Sequence, residues 1–367
     1  MQLNILKRYD WILIATTVAL VGLGFSFIYS ASLSLAAQNQ LLVTQGAAAL
    51  LGFAGLILAM RVDYRMYRNW TRWLYVLAVL MLVAVLFLGQ DVRGSHAWFD
   101  LGFFRFQPSE FAKAVLIIVL AKYFTDNRDE LYRFKHLLVS FVYVMIPVGL
   151  ILLEPDLGSA LLLLAIWGGL VLTVGMKKWH LLVFVSAFVL ASLVAWQFVL
   201  KDYQKERVST FLTPIENCQT VAAYNVCQSY IAIGSGGSTG RGFGQGTQSQ
   251  LNFLPEKHTD FIFAVIAEEL GFVGVTFTLG LIGTLLFRTF YISQHSRDNF
   301  GLFIALGVGI LILAQAVVNI GSNLGVLPVT GVTLPLVSYG GSSLLSTLVL
   351  LGVVLSIHAR RKKQQFV

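Results

Sequence analysis

What most constrains this chain is a series of apolar runs, each close to the length needed to cross a bilayer. A spanning helix takes roughly 20 mostly apolar residues, because the hydrocarbon layer is about 30 Å thick. Runs of this kind lie near residues 10–32, 40–60, 73–89, 109–124, 136–153, 157–176, 179–200, 260–287, 299–320 and 334–357. They predict an all-α polytopic membrane protein of about ten transmembrane helices, a single integral membrane domain over 1–367. Only 12% of the residues are charged, about half the share of an ordinary soluble domain.

Orientation follows from the placement of basic residues, which accumulate in cytoplasmic connections. Of 26 Lys and Arg, 18 fall in alternate segments: Lys7 and Arg8; Arg61, Arg65, Arg68 and Arg72; Lys122, Arg128, Arg133 and Lys135; Lys177 and Lys178; Arg288 and Arg297; and Arg360 to Lys363. An even number of spans then places both termini in the cytoplasm. The net charge of +8 is thereby a matter of topology, and no nucleic-acid partner is implied. Lys7 and Arg8 before an apolar run resemble a signal peptide. The run from Trp11 to Tyr29 exceeds the 7–15 residues of a signal core, so it is read as an uncleaved first span.

Two outer connections are long. The first, Gln90 to Pro108, carries Asp91, Arg93, Trp98, Asp100 and Arg105 among aromatics and is expected to be re-entrant or interfacial. The second, about 201–259, is the large extracytoplasmic loop between helices 7 and 8. Its anchors Phe211, Tyr224, Tyr230, Ile231, Ile233, Phe243 and Phe253 predict order and function. It also holds both cysteines, Cys218 and Cys227, in a compartment that permits a disulfide. Gly234 to Gly246 has seven glycines in thirteen residues. Without GxGxxG spacing or a strand-to-helix context it is read first as a chain needing positive φ and close backbone approach, and second as a phosphate cradle. No Walker sequence or dinucleotide fingerprint is present.

Charges within spans cost about 2.5–3.5 kcal/mol or more and need a reason. In Gln107-Pro108-Ser109-Glu110-Phe111-Ala112-Lys113 the Pro and Ser suit a helix start, and Glu110 complements the dipole. Glu110 and Lys113, three apart, share a face. They read equally as a structural ion pair and, with Arg105, as a cluster for a diphosphate head group. Glu154-Pro155-Asp156-Leu157-Gly158 is a tight acidic turn, read first as a turn and second as a site for a basic partner or cation. In Leu254 to Phe263, Thr259 or Asp260 can cap the eighth span. Asp260 beside Lys257 and His258 at the lipid boundary is equally placed to act as a general base. Glu268 and Glu269 lie about 12 Å further along that helix and must face polar groups or partner helices. Leu334 to Ser343 is rich in small residues, suited first to packing and then to ligand lining.

Together these motifs resemble the SEDS family (shape, elongation, division and sporulation). The resemblance is carried by Gly246-Thr247-Gln248-Ser249-Gln250 through Phe253 to Phe261, by Phe106 to Glu110, by Glu154 to Gly158 and by Pro335 to Ser342, in order along nearly the whole chain. The short N-terminus and the 246–250 run look more like the cell-elongation branch than the division branch. The cysteine pair departs from the family pattern. The resemblance implies a peptidoglycan glycosyltransferase that polymerises lipid II outside the bacterial cytoplasmic membrane, partnered by a class B penicillin-binding protein that crosslinks the strands. By likeness Asp260 matches the family's essential loop aspartate, and Glu110 and Lys113 its charged pair.

On this reading Asp260 is the general base, while Arg105 and Lys113 stabilise an undecaprenyl diphosphate leaving group. Glu110 holds Lys113, and Gln107, Lys257, His258 and Ser338 complete the substrate-binding set. Lipid tails lie between helices, no tightly bound cofactor is implied, and a divalent cation, Mg2+ or Mn2+, is left open. The competing reading is a lipid II flippase, to which Glu110, Lys113, Glu268 and Glu269 would contribute a polar path. A recruiting scaffold is the third, and it gives no reason for an acid at the loop–helix boundary.

Overall fold

The computed structural model of the protein describes residues 8–35, 38–92, 95–100, 102, 105–131, 133–175, 179, 183, 186, 197 and 221–361. Three helices, α1 (Trp11–Ser32), α2 (Gln38–Arg61) and α3 (Met66–Leu88), open the fold. A small antiparallel sheet follows, β1 (Gln90–Val92), β2 (Ser95–Asp100) and β3 (Arg105–Phe106), ordered β1-β2-β3. Then come α4 (Pro108–Asp126), α5 (Phe134–Leu153), α6 (Leu157–Val174), α7 (Val221–Gly236), the single turn α8 (Thr247–Gln250), α9 (Ile262–Gln294), α10 (Asn299–Asn323) and α11 (Gly341–Ala359).

Eight of these, α1, α2, α3, α5, α6, α9, α10 and α11, are long and apolar enough to cross a membrane among the described residues. Helix α4 is a ninth of spanning length, despite Glu110, Lys113, Lys122 and Asp126. Most of the run near 179–200 lies outside the described residues. So do Lys7, Arg93, Lys177, Lys178, residues 201–220 with Phe211 and Cys218, and Lys362 and Lys363. Cys227, on α7, is buried and joined in a disulfide.

Three boundaries differ from the sequence reading. Between Gln90 and Phe106 the described residues form three short strands, whose register pairs Phe99 with Phe106 and Asp100 with Arg105. The last helix starts at Gly341, and residues 334–340 form an ordered loop. The eighth expected span runs on to Gln294 and is broken at Gly271 (φ 64, ψ −157).

That break explains the glycine-rich segment. A broken helix exposes backbone groups that a membrane protein must pair internally. The carbonyls of Glu268 and Glu269 accept from the Arg241 and Gly242 amides, each at 3.0 Å, and the Phe272 and Val273 amides donate to Gly237 O (2.9 Å) and Ser238 O (3.2 Å). Such docking requires bare backbone: a Cβ on Gly236 would stand 1.9 Å from Ala267 O, and one on Gly240 2.1 Å from Glu269 O. Gly237, Gly240, Gly242 and Gly244 also have positive φ. The reading of close approach holds.

At the other end of the bundle, ion pairs gather the alternate connections. Asp10, the N-cap of α1, receives Arg288 of α9 through both carboxylate oxygens (Nε at 3.2 and 2.9 Å). Arg65 meets Asp298 at 3.3 Å, Arg68 meets Asp126 at 2.5 Å and Arg360 meets Asp63 at 3.3 Å. Arg65, Arg68, Arg288 and Arg360, four of the basic residues read as lying on one side of the membrane, thus tie these helix ends together.

Candidate active site

Residues 254–261 lead from the outer loop into α9, and three consecutive carbonyls there are gripped from outside. His258 O accepts the Tyr339 amide at 2.8 Å. Thr259 O accepts the Ser338 hydroxyl at 2.6 Å. Asp260 O accepts the side-chain amides of Asn319 (2.9 Å) and Asn323 (2.8 Å) from α10. The backbone carrying Asp260 is therefore fixed by two separate parts of the chain, while Asp260 itself is half-buried at the mouth of the helix. Neither Thr259 nor Asp260 caps α9. Its N-cap is Phe261 without a side-chain bond, and the Ala264 amide is taken by Asn323 Oδ1 at 3.2 Å.

The charged pair on α4 forms as expected. Lys113 Nζ donates to Glu110 Oε1 at 2.7 Å, with Lys113 only 1% exposed. Glu110 Oε2 accepts from Ser346 of α11 at 3.1 Å. Gln107 is the N-cap of α4, with Pro108 following, but its side chain reaches across to Asp156 (3.1 Å) instead of capping. Asp156 in turn caps α6 through the Ser159 amide at 2.9 Å. Glu154, in the same turn, is fully buried, and burial together with Asp156 pushes its carboxyl up to about 8. The acidic turn is thus a structural corner. Arg105 is exposed, 3.9 Å from Asp100, and is the accessible cation of this cluster.

One segment joins the two clusters. Ser338 and Tyr339 hold 258–259, Ser342 donates to Arg105 O (2.8 Å) and accepts the Gln107 amide (3.1 Å), and Ser346 reaches Glu110. Buried Gln45 of α2 braces it, donating to Ser338 O (3.4 Å) and accepting the Gly340 amide (3.2 Å). Residues 338–346 thereby set the position of the Asp260 loop relative to the Arg105–Lys113 start of α4.

Lys257 departs from its expected place against a substrate. It is 3% exposed, and its ammonium donates to Ser34 Oγ (2.8 Å), Asn252 Oδ1 (2.8 Å) and Ser249 O. It pins the loop to the segment just after α1 and to α8. His258 packs edge-on against Tyr339 with ring centroids 5.5 Å apart, and Ser338 is buried within the loop contacts. Glu268 explains itself too: it accepts from the Gln248 amide (2.7 Å), the Ser249 amide (3.1 Å) and Thr247 Oγ1 (3.4 Å), capping α8 from beneath. Glu269 accepts from Ser30 Oγ of α1. Glu268 thus serves the docked outer loop, and Glu269, fully buried, ties α9 to α1.

Burial pushes the Lys257 ammonium down to about 8, with Glu269 and Glu268 offsetting part of that effect. An unfolded lysine keeps its proton to about 10.4. Between those values the unfolded chain binds more protons, so stability rises with pH across that window, whereas below it the buried charge keeps its full cost. Thermal unfolding of wild type and Lys257→Met from about pH 7 to 10 is expected to show wild type gaining on the variant as pH rises. A gap that stays level would mean burial does not act on this ammonium.

The cell cycle protein family FtsW/RodA/SpoVE matches residues 10–363, nearly the whole chain. The chain belongs to this family. Among its relatives, the peptidoglycan glycosyltransferase MrdB of Escherichia coli (strain K12) is 41% identical over 317 residues, covering 85% of this chain and 84% of that one. A probable peptidoglycan glycosyltransferase FtsW of Trichlorobacter lovleyi is 39% identical over 368 residues, covering 97% and 95%. Among solved structures, the rod shape determining protein RodA of Thermus thermophilus superimposes with a TM-score of 0.72 at 34% identity, over 97% of this chain and 98% of that one. A chain from a peptidoglycan synthase complex, described for its structural coordination of polymerization and crosslinking, gives 0.82 at 38% identity over 95% and 97%.

Within this FtsW/RodA/SpoVE chain, sequence reasoning missed several residues that hold the site: Gln45, Asn319, Asn323 and Ser346. Asn319 and Asn323 did carry a signal, two amides four residues apart in an apolar span.

Proposed function

We propose that this protein is a peptidoglycan glycosyltransferase that polymerises lipid II into β-1,4 glycan strands on the outer face of the bacterial cytoplasmic membrane during cell elongation, with both termini in the cytoplasm. The observation that carries this reading is the joining of the Asp260 loop to the Arg105–Lys113 helix start through residues 338–346. A carboxylate for a hydroxyl proton and cations for a diphosphate are what such a transfer needs. The glycosyltransferase relatives and the alternate basic connections gathered at one end support the activity and the orientation.

Asp260 accepts the proton of the 4-hydroxyl on the lipid II GlcNAc. The hydroxyl oxygen bonds to the anomeric carbon of the growing strand as that carbon's bond to undecaprenyl diphosphate breaks, with inversion from α to β. The electron pair leaves on the diphosphate, where positive charge stabilises it. Arg105 contacts that charge at the surface; buried Lys113, held by Glu110, sets the potential behind it. Among the described residues no group of three or more His, Cys, Asp and Glu forms a metal cage. A divalent cation, Mg2+ or Mn2+, would ride on the diphosphate, held mainly by substrate oxygens and water. The partner is a class B penicillin-binding transpeptidase, a reading supported by the likeness to a chain of a synthase complex that couples polymerization to crosslinking.

The flippase reading loses support because Glu268 is engaged by the outer loop and Glu269 by Ser30 of α1. Purified protein, reconstituted with a transpeptidase partner whose crosslinking is blocked, is expected to convert lipid II into glycan strands resolved on a gel. Movement of lipid II across vesicles with no strands formed would overturn the proposal in favour of transport.

A further inference from the structure

We propose that Asn319 and Asn323, neighbours on one face of α10, are positioning residues that set where the Asp260 carboxylate stands. This rests on the reading of Asp260 as the general base. The two side chains are four residues apart, hence one above the other on the helix, and both are buried, at 1% and 0% exposure.

Both aim their amide nitrogens at one atom, the Asp260 carbonyl oxygen, at 2.9 and 2.8 Å. A carbonyl has two lone pairs, so the pair saturates it. Their second amide hydrogens tie the pair in place: Asn319 Nδ2 also donates to Val332 O (2.9 Å) and Asn323 Nδ2 to Asn319 O (2.8 Å), while Asn323 Oδ1 takes the Ala264 amide (3.2 Å). Asn323 therefore holds both Asp260, just ahead of the N-cap Phe261, and the first turn of α9. Ser338 fixes the preceding carbonyl, that of Thr259. With both flanking peptide units held, the backbone sets the Cα–Cβ direction from which the Asp260 carboxylate projects. A general base must sit within hydrogen-bond reach of its proton, and a displacement of about 1 Å can cost about a hundredfold in rate. Buried as they are, the asparagines act through Asp260 and do not touch the substrate.

The test uses the full chain with its transpeptidase partner and lipid II as substrate. Asn319→Leu and Asn323→Leu keep side-chain volume while removing the donors. Each is expected to lower kcat by about 10- to 100-fold with KM for lipid II unchanged within about twofold. Should either fail to fold, Asn319→Ser and Asn323→Ser, which retain one donor, are expected to show the same split at smaller size. Ser356→Ala, which removes a buried hydrogen bond to Val62 O at the other end of α11, controls for general loosening and is expected to leave kcat unchanged. Asp260→Asn is run alongside. Wild-type kcat in the asparagine variants, or a rise in KM alone, together with an inactive Asp260→Asn, would overturn the positioning role. An active Asp260→Asn would remove the reading beneath it.

Discussion

Asp260→Asn is expected to abolish glycan-strand synthesis while leaving the protein folded. Asn319 and Asn323 hold its backbone carbonyl, and an amide of the same shape leaves those two bonds in place. What the substitution removes is the proton acceptor. Loss of a general base costs typically about 10²- to 10⁴-fold, enough to take strand formation below detection on a gel. The measurement is lipid II polymerisation by wild type and variant at matched amounts of folded protein, with thermal midpoints recorded for both. Equal strands from both would take Asp260 out of the chemistry, and a collapsed thermal midpoint in the variant would make its inactivity a folding effect.

Breaking the Glu110–Lys113 pair is expected to hurt in a different way. Both side chains are buried, and Glu110 has a second partner in Ser346. Removing one member strands the other charge in a low-dielectric interior, at about 3–5 kcal/mol. Lys113→Met alone should therefore lower folded yield and thermal stability sharply. The double replacement Glu110→Gln with Lys113→Met leaves no buried charge and should recover most of that stability. Activity should stay low in both, because the positive potential behind the diphosphate is gone. Detergent-solubilised yield, thermal unfolding and polymerisation on the three proteins separate the two roles. Full activity in the stable double variant would reduce the pair to a structural ion pair.

The helices were legible because each is a local, continuous apolar stretch, and the membrane demands that its backbone bonds close within itself. The pairing of Glu110 with Lys113 was equally legible, being a matter of three-residue spacing on one helix. The glycine-rich segment showed its need for positive φ, but not that its counterpart is the break at Gly271, some thirty residues on. Lys257 was read as part of the substrate-binding set beside Asp260. Its acceptor Ser34, just past α1, lies 223 residues away.

What the sequence determined by itself was the polytopic all-α class and the family, since both rest on composition, period or contiguous motif. What only the tertiary structure decided was how those residues are held. The bond from Asn319 to Asp260 spans 59 residues, that from Ser338 to Thr259 spans 79, and that from Ser342 to Arg105 spans 237. A hydrogen bond between distant segments leaves no periodic trace in either one. Nothing in the sequence around Asn319 or Ser342 names the distant carbonyl that folding brings within its reach.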